Sequence, residues 1–546
     1  MRRSHADGRR GALALLGVLA VSASFVEGAE PAEPEPLTTV TCSSPLGGRA
    51  YCPANTSMGI VLRRSTGDAP CLLGKTWGYD DGGVWVSDGC SAEFVISPTP
   101  APTVPPPTAV PGPAPTPAPM PPQIVPPAGP GPDVVTTAEE PAIRAAAKSP
   151  TYIPNAGFRL ITGEQGEIYL RLYSYVRYLN QKGLDPFYVD SFGNVHDVPI
   201  REDVQLNKVF IPFSGWFLTP RFRYYLYVWS QNPAQGEGAQ VVAAGNLSYV
   251  FNRFLTLGGG ITSLPSTRST EGQFPYWLGV DDRLTSDEFF RGSYTEGFWI
   301  KGEILSNLKY MAMAAVNLSI LGVSASQLDQ GLNTQSFMLA WMPTTGEFGL
   351  YGTFGDYDYH EKIATRIGAH WTHSREDKQD QPGTNSIENT QIRLTDGNIV
   401  FTPDLFGPGI VVERVTYEMM SIDAGIKYKG FSLEGEFFQR WLSNFDGLNT
   451  GGIADIVDHG YQLQASAMVI PRKLQVYVSG AQIFGGPYGD DSEFRAGLNW
   501  YFMKERGLRF NGEFIRVHRS PVGYTAYPLP VGGTGDVINL NLEMNF

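Results

Sequence analysis

The sequence predicts an all-β chain: a 16-stranded antiparallel transmembrane β-barrel, preceded by a small disulfide-stapled β-rich domain and a Pro/Ala-rich linker. Three observations predict it. Segments of about ten residues that alternate apolar and polar side chains recur from Phe158 onward. The connections between them alternate between short and long. No apolar run approaches the roughly 20 residues that a membrane-spanning helix needs. The last segment shows the alternation plainly. Ile538, Leu540, Leu542, Met544 and Phe546 share one face of a strand, and Asn539, Asn541, Glu543 and Asn545 share the other, because successive strand side chains point to opposite sides.

A chain of 546 residues has room for two or three domains or one large barrel with attachments. It is rich in Gly (62), Tyr (26) and Phe (30), and only 17% of its residues are charged. Such a chain is either soluble or crosses a membrane as strands, where only alternate residues need be apolar. The net charge of -13 argues against a nucleic-acid partner. Residues 1–29 have the layout of a secretory signal. Arg2, Arg3, Arg9 and Arg10 open it, Ala12–Val21 form an apolar core too short to span a bilayer, and small residues follow around Ala20–Ser24.

Cys42, Cys52, Cys71 and Cys90 all fall in one domain, residues 38–96. An even count in a small exported segment predicts two disulfides, with all pairings open. Zinc needs closely paired ligands, and these spacings lack them. So small a segment buries little apolar surface without staples. Thr41-Cys42, Tyr51-Cys52-Pro53, Cys71, Gly74–Tyr79, Val84-Trp85-Val86 and Gly89–Phe94 resemble a domain family of unknown function. The resemblance brings no activity with it. Trp77, Tyr79 and Trp85 offer a carbohydrate-stacking face, although aromatics in so small a domain more often fill the core.

Residues 97–157 form the linker. From Ser97 to Pro132 they are dominated by Pro and Ala, which favours extended polyproline conformation at about 3.1 Å per residue and a reach on the order of 100 Å.

The barrel occupies 158–546. The predicted strands are Ile168–Tyr178, Val204–Phe213, Phe222–Trp229, Val241–Val250, Phe254–Ser263, Gly297–Leu305, Lys309–Ser319, Ser336–Met342, Ile363–His370, Thr416–Tyr428, Phe431–Arg440, Gly460–Ile470, Leu474–Phe484, Glu493–Phe502, Leu508–Val517 and the terminal segment. Short turns follow almost every even-numbered strand and long loops every odd one, as in barrels that keep short turns in the periplasm. Pro343–Lys362, a long connection on the short side, is expected to be a folded turn; two extra strands there would make the total 18. A propeller should repeat every 40 to 50 residues or so, and no repeat is visible.

Glu493–Phe502 and Leu508–Phe514 resemble the penultimate hairpin of the outer-membrane porin superfamily that contains the phosphate-selective porins O and P. The final segment, ending on Phe546, resembles the terminal strand of Gram-negative outer-membrane barrels, whose assembly machinery reads a closing aromatic residue. The resemblance implies a sixteen-stranded barrel, a homotrimer and passive diffusion of small solutes. Phosphate selectivity would need a run of unpaired basic residues, and that label is not carried over.

A pore needs a polar interior and a constriction, and no catalytic residue or cofactor. The candidate constriction is the connection Leu264–Glu296, with Arg268, Arg283, Arg291, Asp281, Asp282 and Glu288 beside Phe274, Tyr276, Trp277, Phe289 and Phe290. Strand parity turns Arg171, Arg177, Arg223, Lys301, Arg366, Lys427, Arg440, Arg495 and Arg509 away from the apolar face, together with Glu167, Glu303, Asp423, Glu434, Glu436, Glu493 and Glu513. A charge held against lipid costs roughly 2–4 kcal/mol for Arg at the midplane, so these side chains are expected to point inward. His370 and His373 with Glu376 raise the question of a metal, but the two histidines project to opposite faces of a strand, unlike the helical HExxH arrangement. No metal, cofactor or catalytic set is expected. The implied partners are outer-membrane lipid, further copies of the chain, the barrel assembly machinery and, on the alternative reading of a structural tether, a cell-wall polymer bound by the cysteine domain.

Overall fold

The computed structural model describes residues 39–96 and 152–546, apart from 55, 57–59, 68, 70, 72–75, 81, 154–155, 232–239, 272–276, 324–326, 328–330, 350–352, 384–389 and 504–505. The signal segment and nearly all of the linker lie outside the described residues, as do Phe274 and Tyr276. The chain divides into two compact units, 1–132 and 133–546.

The first unit contains β1 (Thr39–Ser43), β2 (Arg49–Pro53), β3 (Ile60–Ser65), β4 (Trp77–Asp80), β5 (Gly83–Ser87) and β6 (Ser91–Ile96). They form two antiparallel sheets, ordered β1-β6-β3 and β2-β5-β4. Val84 and Val86 alternate into a core with Trp77, Ala92 and Phe94. The pairing left open by the spacings is Cys42–Cys52 and Cys71–Cys90. The first bond staples one sheet to the other, since β1 and β2 belong to different sheets.

The second unit opens with β7 (Tyr152–Ile153), β8 (Gly157–Gly163) and β9 (Gly166–Leu170). Next come β10 (Tyr173–Leu184), a small hairpin of β11 (Phe187–Val189) and β12 (Val195–Asp197), β13 (Glu202–Phe217), β14 (Thr219–Gln231), β15 (Gln240–Asn252), β16 (Leu255–Ser263), β17 (Tyr294–Leu305), β18 (Leu308–Ala315) and β19 (Thr334–Trp341). The chain continues with β20 (Ala364–Asp377), β21 (Val411–Tyr428), β22 (Phe431–Leu448), β23 (Ile456–Ile470), β24 (Leu474–Phe484), β25 (Asp490–Tyr501), β26 (Leu508–His518) and β27 (Gly535–Asn545). β10 and β13 to β27 make a closed sixteen-stranded antiparallel barrel, sealed where β10 pairs with β27. The seam continues past the strand ends, where Leu172 and Phe546 exchange backbone hydrogen bonds of 2.8 and 2.9 Å.

Each predicted barrel strand has a counterpart, although the first, Ile168–Tyr178, is divided between β9 and β10 and only its second part belongs to the barrel. The connection between β19 and β20 holds no strand among its described residues. Turn chemistry explains the register at β21–β22. Tyr428 pairs with Phe431, and the two residues between them, Lys429 and Gly430, have φ of 47° and 85°. Both central residues of a type I′ turn need positive φ, and that turn matches the twist of its strands.

Parity then sorts the wall. Along β27, Ile538 and Leu542 are 47% and 45% exposed on the outside, while Asn539, Asn541 and Glu543 are buried inside. Outward Leu226, Leu247, Phe298, Ile367, Ile422, Leu463 and Val478 extend this apolar surface around the barrel. Exposed Trp341, Tyr428, Phe431, Trp500 and Phe502 collect at the short-turn end, in the manner of an interfacial aromatic girdle.

Candidate functional site

The barrel interior is built from charge. Arg171, Arg177, Arg366, Lys427, Arg440, Arg495 and Arg509 are all buried, and each has polar partners. Arg366 donates to Asp423 at 2.7 Å, Arg440 to Asp458 at 2.5 Å and Arg509 to Glu543 at 2.6 Å. Arg177 reaches Asn541 at 2.9 Å and the Val280 carbonyl at 2.7 Å, and Arg171 reaches Asn545 at 2.9 Å. Buried charge is tolerated only when paired and hydrogen-bonded, so these contacts are what permit so polar an interior.

The Leu264–Glu296 connection folds inside the wall. It carries one helical turn at Arg268–Glu271 and a short helix at Thr285–Phe290. Glu493 of β25 accepts from the backbone N–H and the hydroxyl of Thr285 at 2.7 and 3.0 Å, satisfying donors at the start of that helix. Phe290 stacks on Phe438 of β22 at a centroid distance of 5.2 Å. Asp282 meets Arg495 at 2.5 Å; Asp281 meets Lys208 at 2.7 Å and the Tyr175 hydroxyl at 2.8 Å. Arg268 reaches Glu434 at 3.2 Å, while its backbone N–H donates to Glu436 at 3.0 Å. Arg291 donates to Glu288 at 2.6 Å, and Arg283 lies 3.5 Å from Glu288 with its guanidinium 4.2 Å over the Trp277 ring. All six candidate constriction residues thus belong to contacts that fasten the loop, either to the wall or to itself.

A second insert enters at the short-turn end. In the segment between β19 and β20, Phe348 and Phe354 are buried. Lys427 donates to the Phe348 carbonyl at 2.9 Å, the Gly355 N–H to Glu434 at 2.8 Å, and the Gly430 N–H to Asp356 at 2.7 Å. His360 is hydrogen-bonded to Asp356 and 3.0 Å from Glu347. The Asp356 hydrogen bond holds His360 protonated to a pH above its ordinary value, against the opposing effect of burial.

These inserts fill the lumen beside β20 to β26. Beside β13 to β18 they leave a cavity of about 620 Å³. Its wall includes Arg171, Lys208, Arg223 and Lys301, with Glu167 and Glu271 as the lining carboxylates. Arg223 and Lys301 are the two predicted lumenal cations that stay accessible. Along β14 the inward positions run Arg223, Tyr225, Tyr227 and Trp229, all of which line the cavity. Sequence reasoning singled out only the first of these. The period-two run of aromatics behind it was the available signal.

Glu271, His370 and Asp423 place ligand atoms within 4.8 Å of one another. Arg366 forms ion pairs with both carboxylates and His370 is hydrogen-bonded to Asp423, so the three groups belong to a buried ion-pair network. His373 projects away from it, to Glu418 at 3.2 Å, and Glu376 accepts from Ser374 at 2.6 Å.

In the first unit, Trp77 is core, packed on Phe94 at 4.8 Å. Tyr79 and Tyr51 are exposed, and the Arg49 guanidinium lies 4.1 Å over Trp85.

Comparison with known proteins follows this division. A family described as a protein of unknown function (DUF3011) matches residues 39–108. None of the curated proteins matches the chain. Similar solved structures include an anion-selective porin from Comamonas acidovorans (12% identity, 70% of this chain and 100% of that one, TM-score 0.44). They also include OmpF of Salmonella typhi in complex with daunomycin (14% identity, 71% and 99%, TM-score 0.43) and the outer-membrane channel DcaP of Acinetobacter baumannii (8% identity, 72% and 100%, TM-score 0.42). Likenesses this distant carry nothing about what the present barrel admits.

Proposed function

We propose that the chain is an outer-membrane porin, through which small hydrophilic solutes or ions diffuse passively. The observation that carries this is the division of the lumen: a closed wall, apolar outside, encloses charged filling on one side and an unfilled cavity of about 620 Å³ on the other. A wall built only for structure has no need of accessible lumenal cations such as Arg223 and Lys301. In this reading Arg268, Arg283, Arg291, Asp281, Asp282 and Glu288 set the bore by holding the loop in place. Arg171, Arg177, Arg366, Lys427, Arg440, Arg495 and Arg509 make up the polar lining and its support.

Residues 1–29 act as the export signal, 38–96 as a periplasmic domain and 97–157 as its tether to the barrel at 158–546. The barrel inserts through the assembly machinery, with Phe546 as its recognition residue, and works as a homotrimer. No cofactor and no catalytic residue enters this reading.

Reconstitution of the purified protein in planar lipid bilayers tests it. Stepwise ion conductance is the expected result, and its absence across preparations that retain heat-modifiable barrel migration would remove the porin reading. Unchanged reversal potentials in Arg268, Arg283 and Arg291 substitutions would remove those residues from the constriction.

A second reading, a structural tether, is favoured by the polar aromatic strip of Arg49, Trp85 and Tyr51 on the first unit, since sugars stack on such surfaces. Co-sedimentation of the full chain with purified cell-wall polymer, lost in Trp85→Ala, would support it.

A further inference from the structure

The cavity beside β13 to β18 has two properties that its role as a hole does not require. The first is its surplus of positive charge. Lys208 is engaged by Asp281 at 2.7 Å, but Arg223 and Lys301 have no carboxylate partner among the described residues. Arg223 donates to the Pro220 carbonyl at 3.2 Å, and the Lys301 ammonium lies 4.9 Å from the Trp299 ring centroid. Both cations line the same cavity. Glu167, a lining carboxylate on β9, accepts from the Tyr169 hydroxyl at 2.7 Å and the Trp216 indole at 3.2 Å. Glu303 follows Lys301 by two residues on the same strand face and forms no ion pair among the described residues, so it offsets the pair only in part.

The second property is an aromatic track. Alternate residues of a strand are about 6.8 Å apart on one face, so Arg223, Tyr225, Tyr227 and Trp229 mark out a path of about 20 Å along the lumen. Tyr225 and Tyr227 have ring centroids 5.8 Å apart, and Phe210 extends the surface at 5.2 Å from Tyr227. Lys208 stands at the long-loop end, 4.4 Å over Trp229, while Arg223 and Lys301 stand at the short-turn end. The indole N–H groups of Trp229 and Trp299 are buried and have no acceptor among the described residues. Buried donors are rarely left so.

Aromatic rings between cations match one kind of solute. A phosphate or other compact, strongly hydrated anion gains nothing from tyrosine faces. A neutral sugar stacks on rings but gains nothing from unpaired cations. Deepening the porin reading, on which it rests, we propose that this track conducts small aromatic carboxylates. The ring lies against Tyr225 and the uncovered edge of Tyr227 while the carboxylate meets Arg223 and Lys301, which are the accessible cations of the track.

The test uses the full-length protein in planar bilayers carrying a potassium chloride current, with benzoate, acetate or glucose added. Benzoate is expected to depress the current at concentrations about tenfold below those needed for acetate or glucose, a difference of about 1.4 kcal/mol in site occupancy. Arg223→Gln with Lys301→Gln should abolish block by benzoate while leaving conductance steps in place. Tyr225→Ala with Tyr227→Ala should bring benzoate down to the level of acetate. Those steps in the unblocked variants show that each has folded. Channels that open normally but respond equally to benzoate and acetate would overturn the assignment and leave the porin reading standing. No channels at all would overturn both.

Discussion

Arg268 carries its guanidinium 4.7 Å above the ring of Phe354, and so joins the loop between β16 and β17 to the segment between β19 and β20. One insert enters from the long-loop end and the other from the short-turn end. Removing Phe354 takes away a contact worth roughly 0.5–2 kcal/mol when desolvated. Phe354→Ala is therefore expected to loosen both inserts and raise single-channel conductance without changing barrel melting by more than a few degrees. Single-channel recordings paired with heat-modifiable gel migration check this.

Arg495 serves Asp282 at 2.5 Å, Glu513 at 3.5 Å and, on its own strand, Glu493. Arg495→Gln takes the ion-pair partner from three buried carboxylates. Breaking a buried pair by removing one partner costs about 3–5 kcal/mol, and here the cost falls on the docked loop. Limited proteolysis in detergent should cut the 264–293 segment in the variant and leave it intact in the wild type.

His360 supplies a pH dependence whose sign can be worked out. Its hydrogen bond to Asp356 raises its pKa above the unfolded value of about 6.5. The stabilisation is therefore fully present below about pH 6.5 and is lost as pH rises through the elevated folded value. Protection of the 342–363 segment against protease should fall between neutral and alkaline pH. His360→Gln should flatten that profile.

The two disulfides close loops with sequence separations of 10 and 19 in a unit with a small core. A loop of about 15 residues contributes about 3 kcal/mol through the unfolded state. Cys71→Ala with Cys90→Ala should make residues 39–96 protease-sensitive while β-barrel migration on gels is unchanged.

The wall was legible in the sequence because its information is local. The alternation in β27, the Lys429-Gly430 turn and the lipid cost of an outward Arg495 are each read within one strand or hairpin. The filling was not, because its partners are remote: Asp282 and Arg495 are 213 residues apart, and Arg268 and Glu434 are 166 apart. Parity says that both face inward, and it cannot say that they meet. The same limit applies to Phe348 and Phe354. Their glycine-flanked segment was legible as a folded turn, but not as a lumenal insert.

The charged anchors of the Leu264–Glu296 loop also bear on how the molecule is made. Asp282, Glu288, Arg283 and Arg291 shed their hydration only when the loop seats itself against the wall. The hoop of strands pairs through backbone groups that owe nothing to them. Weakening these anchors is therefore expected to widen the bore while the hoop of strands stays paired.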